Sequence, residues 1–182
     1  IAQGDDGRWT AVADLRTHGL PVSVREVVGR RIERLSPEAT RVLSAAAIIG
    51  RDFDIDLLAE VTETREDDLL DLLDLAEQAA VVTEAPGGGD RYTFVHALIQ
   101  HTLYDDLSAA RRRRLHRNVA EALEAMVSAP GERVTELARH WYEATQPSDV
   151  RKAYQYSLEA GDQALERLAP DEAIRWFNQA LE

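Results

Sequence analysis

The residues best placed to do chemistry gather around one histidine. Ala80-Val81-Val82-Thr83-Glu84 and Arg91-Tyr92-Thr93-Phe94-Val95 read as two strands joined by a Gly87-Gly88-Gly89-Asp90 turn. A helix opens at Ala97-Leu98-Ile99, so His96 falls at a strand-to-helix corner. The first turn of a helix has unpaired N–H groups and the positive end of its dipole, which favour an anion such as phosphate. A histidine at that corner can contact the same anion. The competing expectation is an ordinary N-cap or packing histidine.

Other chemistry is missing from the pattern. No Gly-x-x-x-x-Gly-Lys-Ser/Thr loop appears that would cradle nucleotide phosphates, so the chain is not expected to bind or hydrolyse ATP unaided. No Ser/His/Asp or Cys/His arrangement is discernible, and there is no cysteine for a disulfide or thiolate site. His96 and His101 are five apart, whereas two ligands on one helix face call for a separation of about four. His101 and His116 fall on helices and read as packing or surface residues. No catalytic residue and no metal site is assigned.

The elements that must position His96 are short. Val24, Val27, Val28, Ile32 and Leu35 form a helical stripe. Ser36-Pro37-Glu38 reads as N-cap, first-turn proline and first-turn acid of a helix that runs through Val42, Leu43, Ala46 and Ile49 to Gly50. Phe53 to Val61 is a further helix-sized element, and Thr64 is a candidate cap for a helix from about Arg65 to Ala79. Three helices, a two-stranded wing and a helix is the order of a winged-helix domain.

In a winged helix that reads DNA, the helix before the wing is basic. Here Leu69, Leu72, Leu73 and Ala76 form its apolar face and leave Asp67, Asp68, Asp71, Asp74 and Glu77 outward, where they would repel phosphates. The formal net charge of −12 points the same way, so specific DNA binding by this segment is not expected. Arg111-Arg112-Arg113-Arg114 is a run of four, but four successive residues spread around a helix, and they read as a solvated or salt-bridged face. No apolar run approaches the roughly 20 residues of a membrane span. A cytoplasmic protein is expected.

The second half is helical. Ala97 to about Asp106 forms one helix. Ser108 can cap the next, which carries Leu115, Val119, Ala122, Leu123 and Met126 and ends at Pro130-Gly131. Glu132 to Ala144 is another, with Leu137, Trp141 and Tyr142. Gly161, Ala173, Phe177 and Ala180 then stand at the spacing of a tetratricopeptide repeat, with Ser157, Ala160 and Ala164 where larger residues are usual. The fold class expected is mainly α, a winged helix with a small two-stranded hairpin followed by tetratricopeptide-like helices. Residues 1–22 read as a linker from an upstream module, 23–106 as the winged helix, 107–130 as a connecting helix and 131–182 as a truncated repeat. Ala173, Phe177, Ala180 and Leu181 are the candidate interaction surface. They would meet a following helix, a partner or a second copy of the chain.

Leu20-Pro21-Val22-Ser23-Val24, Arg31-Ile32-Glu33-Arg34-Leu35, Ala45 to Phe53, Tyr92 to Ile99 and Arg112-Arg113-Arg114-Leu115-His116 occur in that order. As a set, over about Leu20 to Glu182, they resemble the region downstream of the ATPase module in STAND signalling ATPases, including large bacterial LuxR-type transcriptional regulators and relatives with cyclase or kinase domains. The resemblance implies a non-catalytic relay between an upstream nucleotide-binding domain, which holds ATP or ADP with magnesium, and a helical-repeat arm that senses a protein or small-molecule inducer. In that family a winged-helix histidine contacts the ADP β-phosphate in the resting state. Val95-His96-Ala97 matches its motif at the histidine, with alanine in place of aspartate. Two other expectations stand beside it, a winged-helix transcription factor that binds DNA through another surface and a plain repeat scaffold.

Overall fold

A computed structural model of the chain describes residues 2–3, 9–10, 29–86, 90–126, 131–144 and 149–181. Among these it is mainly helical, with a small three-stranded antiparallel sheet. Near the start, β1 (Ala2–Gln3) pairs antiparallel with β2 (Trp9–Thr10). Of the Val24 to Leu35 stripe, 29–32 is helical and 24–28 lies outside the described residues. The linker expected over 1–22 also lies outside them, apart from that strand pair.

The first long helix, α1 (Pro37–Ile49), begins as its sequence dictates. Ser36 is the N-cap, its side chain accepts from the Ala39 N–H at 3.1 Å, and Pro37 occupies the first turn. From Val42 to Ile49 every residue is buried, so α1 is a core helix and not an amphipathic surface one.

Two sequence expectations are corrected next. Asp52–Asp54 is a strand, β3, and α2 starts only at Ile55 (Ile55–Thr62). The expected two-stranded hairpin is therefore part of a three-stranded sheet, in the order β3, β5 (Arg91–Phe94), β4 (Val82–Glu84). The reason is local. Asp54 has an extended backbone and its carboxylate accepts from the Leu57 N–H at 2.9 Å, which fixes the helix start behind it. Phe53 then pairs with Tyr92 and stacks on it with ring centroids 6.2 Å apart. The second correction concerns α3 (Glu66–Gln78). Arg65, not Thr64, is its N-cap, without a side-chain cap bond, while the Thr64 hydroxyl turns back to donate to the Thr62 carbonyl. β4 starts at Val82 because Ala80 takes a positive φ of 54° that closes α3. The glycines of the turn, 87–89, lie outside the described residues.

Helices α4 (Ala97–Asp105), α5 (Ala109–Met126), α6 (Val134–Ala144), α7 (Val150–Glu166) and α8 (Pro170–Leu181) follow. Ser108 accepts from the Arg111 N–H at 3.3 Å at the start of α5. Pro130, the expected stop of α5, lies outside the described residues. One apolar cluster runs from Val42 through Phe53, Leu73, Phe94 and Leu103 to Leu123, Trp141 and Ala153. Helices α5 and α6 therefore share a core with the sheet end of the molecule, and α7 and α8 stack on in succession. Among the described residues no helix is long and apolar enough to cross a membrane.

Candidate functional site

His96 lies where its neighbours put it. Val82 pairs with Phe94, β5 ends there, and α4 starts at Ala97. His96 is the N-cap by position, with extended backbone (φ −135°, ψ 134°), and its side chain makes no cap hydrogen bond. The residue is exposed. Its ring is thus available beside the free N–H groups of the first turn of α4, an arrangement suited to an anion. His101 is exposed too, its Nδ1 2.7 Å from the Ala97 carbonyl oxygen within the same helix.

The acidic helix buries three of the four residues expected on its apolar face. Leu69, Leu73 and Ala76 are buried, Leu72 is half-buried, and Asp67, Asp68, Asp71, Asp74 and Glu77 are exposed. The four arginines diverge. Arg112 stands 5.2 Å over the Tyr104 ring and 4.0 Å from Asp105, while Arg111, Arg113 and Arg114 are exposed.

His116 is buried, in company that the sequence reading missed. Its Nδ1 lies 2.9 Å from Nδ1 of His140, which is also buried, and its Nε2 lies 3.3 Å from the Tyr104 hydroxyl. On the far side, Arg139 reaches His140 Nε2 at 2.9 Å and the Ile49 carbonyl at 2.6 Å. An arginine only donates, which fixes every proton in the row. Arg139 donates to His140 Nε2, His140 Nδ1–H donates to His116 Nδ1, and His116 Nε2–H donates to Tyr104. This row requires both rings neutral, since a second proton would set two N–H groups against each other. Burial first, then the charges of Arg139 and Arg112, pull His116 down to about 4. Burial, Arg139 and His116 hold His140 well below the ordinary histidine value. Tyr104 is raised, by burial above all. The Tyr104 ring in turn carries the Arg112 guanidinium, and the row serves to position side chains. It ties α4, α5 and α6 to the C-terminal end of α1.

A second polar node joins α5, α6 and α7. Glu124 Oε1 accepts from Trp141 Nε1 at 3.1 Å and from the Tyr156 hydroxyl at 3.0 Å, and Oε2 takes Lys152 Nζ at 2.7 Å. Lys152 Nζ also sits 4.2 Å from the centre of the Trp141 ring. Arg117 pairs with the buried Asp149 at the start of α7.

The four candidate interaction residues separate. Ala173 is buried inside the α7–α8 pair. Phe177 is half-buried over Gly161, where a Cβ would sit 2.6 Å from ring carbon Cδ1, so only glycine admits this crossing. Ala180 is half-buried and Leu181 is open. A helical pair buries its own inner face first, which is why Ala173 and Phe177 are already spoken for. The most open apolar residues of this region are Leu168, Ile174 and Leu181.

No protein-family description, curated protein or solved structure matches this chain.

Proposed function

We propose that this chain is the non-catalytic relay of a STAND-type signalling ATPase, a winged helix followed by tetratricopeptide-like helices. It would couple the nucleotide state of an upstream ATPase domain, in the cytoplasm, to an inducer-sensing arm continued by further repeats. The observation that carries this reading is His96, exposed at the N-terminus of α4 with its side chain making no cap bond. In that role His96 donates one hydrogen bond to a phosphate of bound ADP. The exposed acids of α3 favour this reading over a DNA-binding winged helix, and the seating of Phe177 on Gly161 supports the repeat.

A hydrogen bond to a charged group contributes about 1.5–3 kcal/mol, which makes the expected rise in ADP dissociation rate roughly tenfold or more for His96→Ala in an ATPase carrying this segment. Basal output without inducer rises with it. The melting temperature of the isolated 182-residue chain stays unchanged, because His96 is exposed and caps nothing. An unaltered ADP off-rate refutes the proposal. The open Leu168, Ile174 and Leu181 favour a second reading, a scaffold that binds a protein partner through α7 and α8. In that case His96→Ala leaves nucleotide untouched and partner binding depends on Ile174 and Leu181.

A further inference from the structure

The outer face of the small sheet and the side of α6 enclose a cleft of about 450 Å³ that sequence inspection gives no hint of. Its walls carry Arg51 and Arg91 from the sheet end and Arg133 and Arg139 from the α6 end. These guanidiniums are brought together from three separate stretches of the chain. Asp54 pairs in register with Arg91, so both stand on the face opposite to Phe53 and Tyr92, which turn into the core. Arg133 has a positive φ of 53° just before α6 and reaches Asp54 at 3.4 Å. Arg139 arrives one and a half turns later.

The donors in this cleft outnumber the acceptors that could satisfy them. Three carboxylates share it, Asp52, Asp54 and Glu136. Asp54 is engaged by Arg133 and by the Leu57 N–H. Arg139 gives its hydrogen bonds to a carbonyl and an imidazole, both neutral, and burial pulls it below the usual arginine value. Its charge is met only through space, by Glu136 and Glu143. The side chains of Arg51 and Arg91 make no hydrogen bond or ion pair among the described residues. Each offers up to five donors in a planar fork that matches carboxylate and phosphate oxygens two at a time. Both are exposed, so water meets their donors until an anion displaces it. At physiological salt the screening length is about 8 Å, so the cleft's own groups and not the distant acids decide what binds there. The volume lies within the roughly 300–1,000 Å³ range of small-molecule sites.

We propose that this cleft binds a small multivalent oxyanion, a phosphoester or a polycarboxylate, held between Arg51 and Arg91 on one side and Arg133 and Arg139 on the other. Bound there, the anion bridges the sheet and α6 and strengthens their contact. The site is independent of His96 and of the relay reading, and its test involves neither.

The 182-residue chain is titrated calorimetrically with pyrophosphate and, separately, with citrate, at ionic strength held constant with sodium chloride. Saturable one-site binding is expected for at least one of the two. Pyrophosphate alone identifies a phosphoester site, citrate alone a polycarboxylate site, and both a site that reads charge and shape. Arg51→Gln with Arg91→Gln should weaken the binding roughly tenfold or more, the loss of about one good charge-assisted contact. Arg111→Gln with Arg113→Gln, the same change of charge at exposed positions elsewhere, should leave it intact. The circular dichroism of each variant is recorded. Should the cleft pair fail to fold, Arg51→Gln alone decides. No saturable binding of either anion overturns the proposal. So does binding that survives the cleft substitutions, or binding that the α5 substitutions weaken equally.

Discussion

The sheet end of the molecule and its helical end solve the same problem by different means. From α1 to α4 large apolar side chains predominate in the interior, among them Leu43, Leu57, Leu58, Phe53, Leu69, Leu73, Phe94, Ile99 and Leu103 beside the alanines of α1, and among the described residues the one buried polar side chain there is Ser44. From α5 onward alanines outnumber the large buried side chains Val119, Leu123, Val134, Leu137 and Trp141, and His116, His140, Asp149 and Ser157 are buried among them. The exposed large apolar residues follow the same division. Among the described residues Leu75 is the sole one before α5, whereas Met126 at the end of α5 is followed by Val150, Tyr154, Leu165, Leu168, Ile174 and Leu181. A core of large side chains gains stability without dictating one angle of approach. Small residues and hydrogen-bonded polar groups contribute less area but tolerate only one docking geometry. The sheet end is built for stability, and the helical end for orientation.

That contrast breaks first, and hardest, at Leu73. Its side chain is fully buried, and Leu73→Ala should cost roughly 2–5 kcal/mol, as buried leucine truncations do. Leu72 is half-buried on the same helix, so Leu72→Ala should cost distinctly less. Urea midpoints of the two variants measure the difference. Equal losses would mean that α3 is rotated and that the sheet end lacks the core described.

Acid should single out the helical end. The neutral His116 and His140 row faces Arg139 from α6, Arg112 from α5 and Tyr104 from α4. Above pH 6.5 the two rings are neutral whether the chain is folded or not, so stability there is indifferent to them. Below it the unfolded chain takes up a proton that the folded His116 refuses until about pH 4, so stability falls as pH drops across that window. For His116 the full loss is about 3 kcal/mol, at about 1.4 kcal/mol per pH unit. His116→Gln keeps an acceptor for His140 Nδ1–H and removes the titration. The variant should show a shallower decline between pH 6.5 and 4 than the parent in chemical denaturation. Parallel declines would show that His116 is not the source of the acid sensitivity.

Gly161 tests the same idea sterically. A Cβ at this position meets the Phe177 ring, so Gly161→Ala should destabilise by roughly 1–3 kcal/mol in spite of the better helix propensity of alanine. Pairing it with Phe177→Leu should recover part of the loss in a double-mutant cycle. Strictly additive effects would show that the two residues do not meet.

How much of this was legible in the sequence depended on whether the cause was local. The start of α1 was written in Ser36-Pro37-Glu38, the buried face of α3 in the spacing of Leu69, Leu73 and Ala76, and the small-residue crossing in Gly161 and Phe177. β3 was not legible, since three residues carry no periodicity and Phe53 became a strand residue only by pairing with a partner 39 positions on. For His140 a signal did exist. It stands three after Leu137 and four before Ala144, on the buried face of α6, yet nothing local says that it meets His116 across 24 residues. The arginine cleft is of the same kind, with walls from β3, β5 and α6 that share no stretch of chain. The corner that holds His96 was readable because strand, corner and helix are consecutive.

The smallest expected effect sharpens the comparison most, because it separates charge from shape. Glu124 Oε1 takes both neutral donors, Trp141 Nε1 and the Tyr156 hydroxyl, while Oε2 takes only Lys152, which is 44% exposed. Glu124→Gln can keep its carbonyl oxygen at the first position and lose only the ion pair, and a part-exposed pair is worth about 0.2–1 kcal/mol. Glu124→Ala leaves the buried Trp141 indole N–H without its acceptor, which should cost about 1–3 kcal/mol. The phenol reports independently. Burial, followed by the hydrogen bond to Glu124, raises Tyr156 to about 12, so Glu124→Gln should lower its titration midpoint while burial still holds it above the ordinary 10. Ultraviolet titration against the Tyr156→Phe background isolates that tyrosine. If glutamine proves as damaging as alanine, the helical end is held by the Lys152 charge rather than by hydrogen-bond geometry, and its contrast with the sheet end must be redrawn.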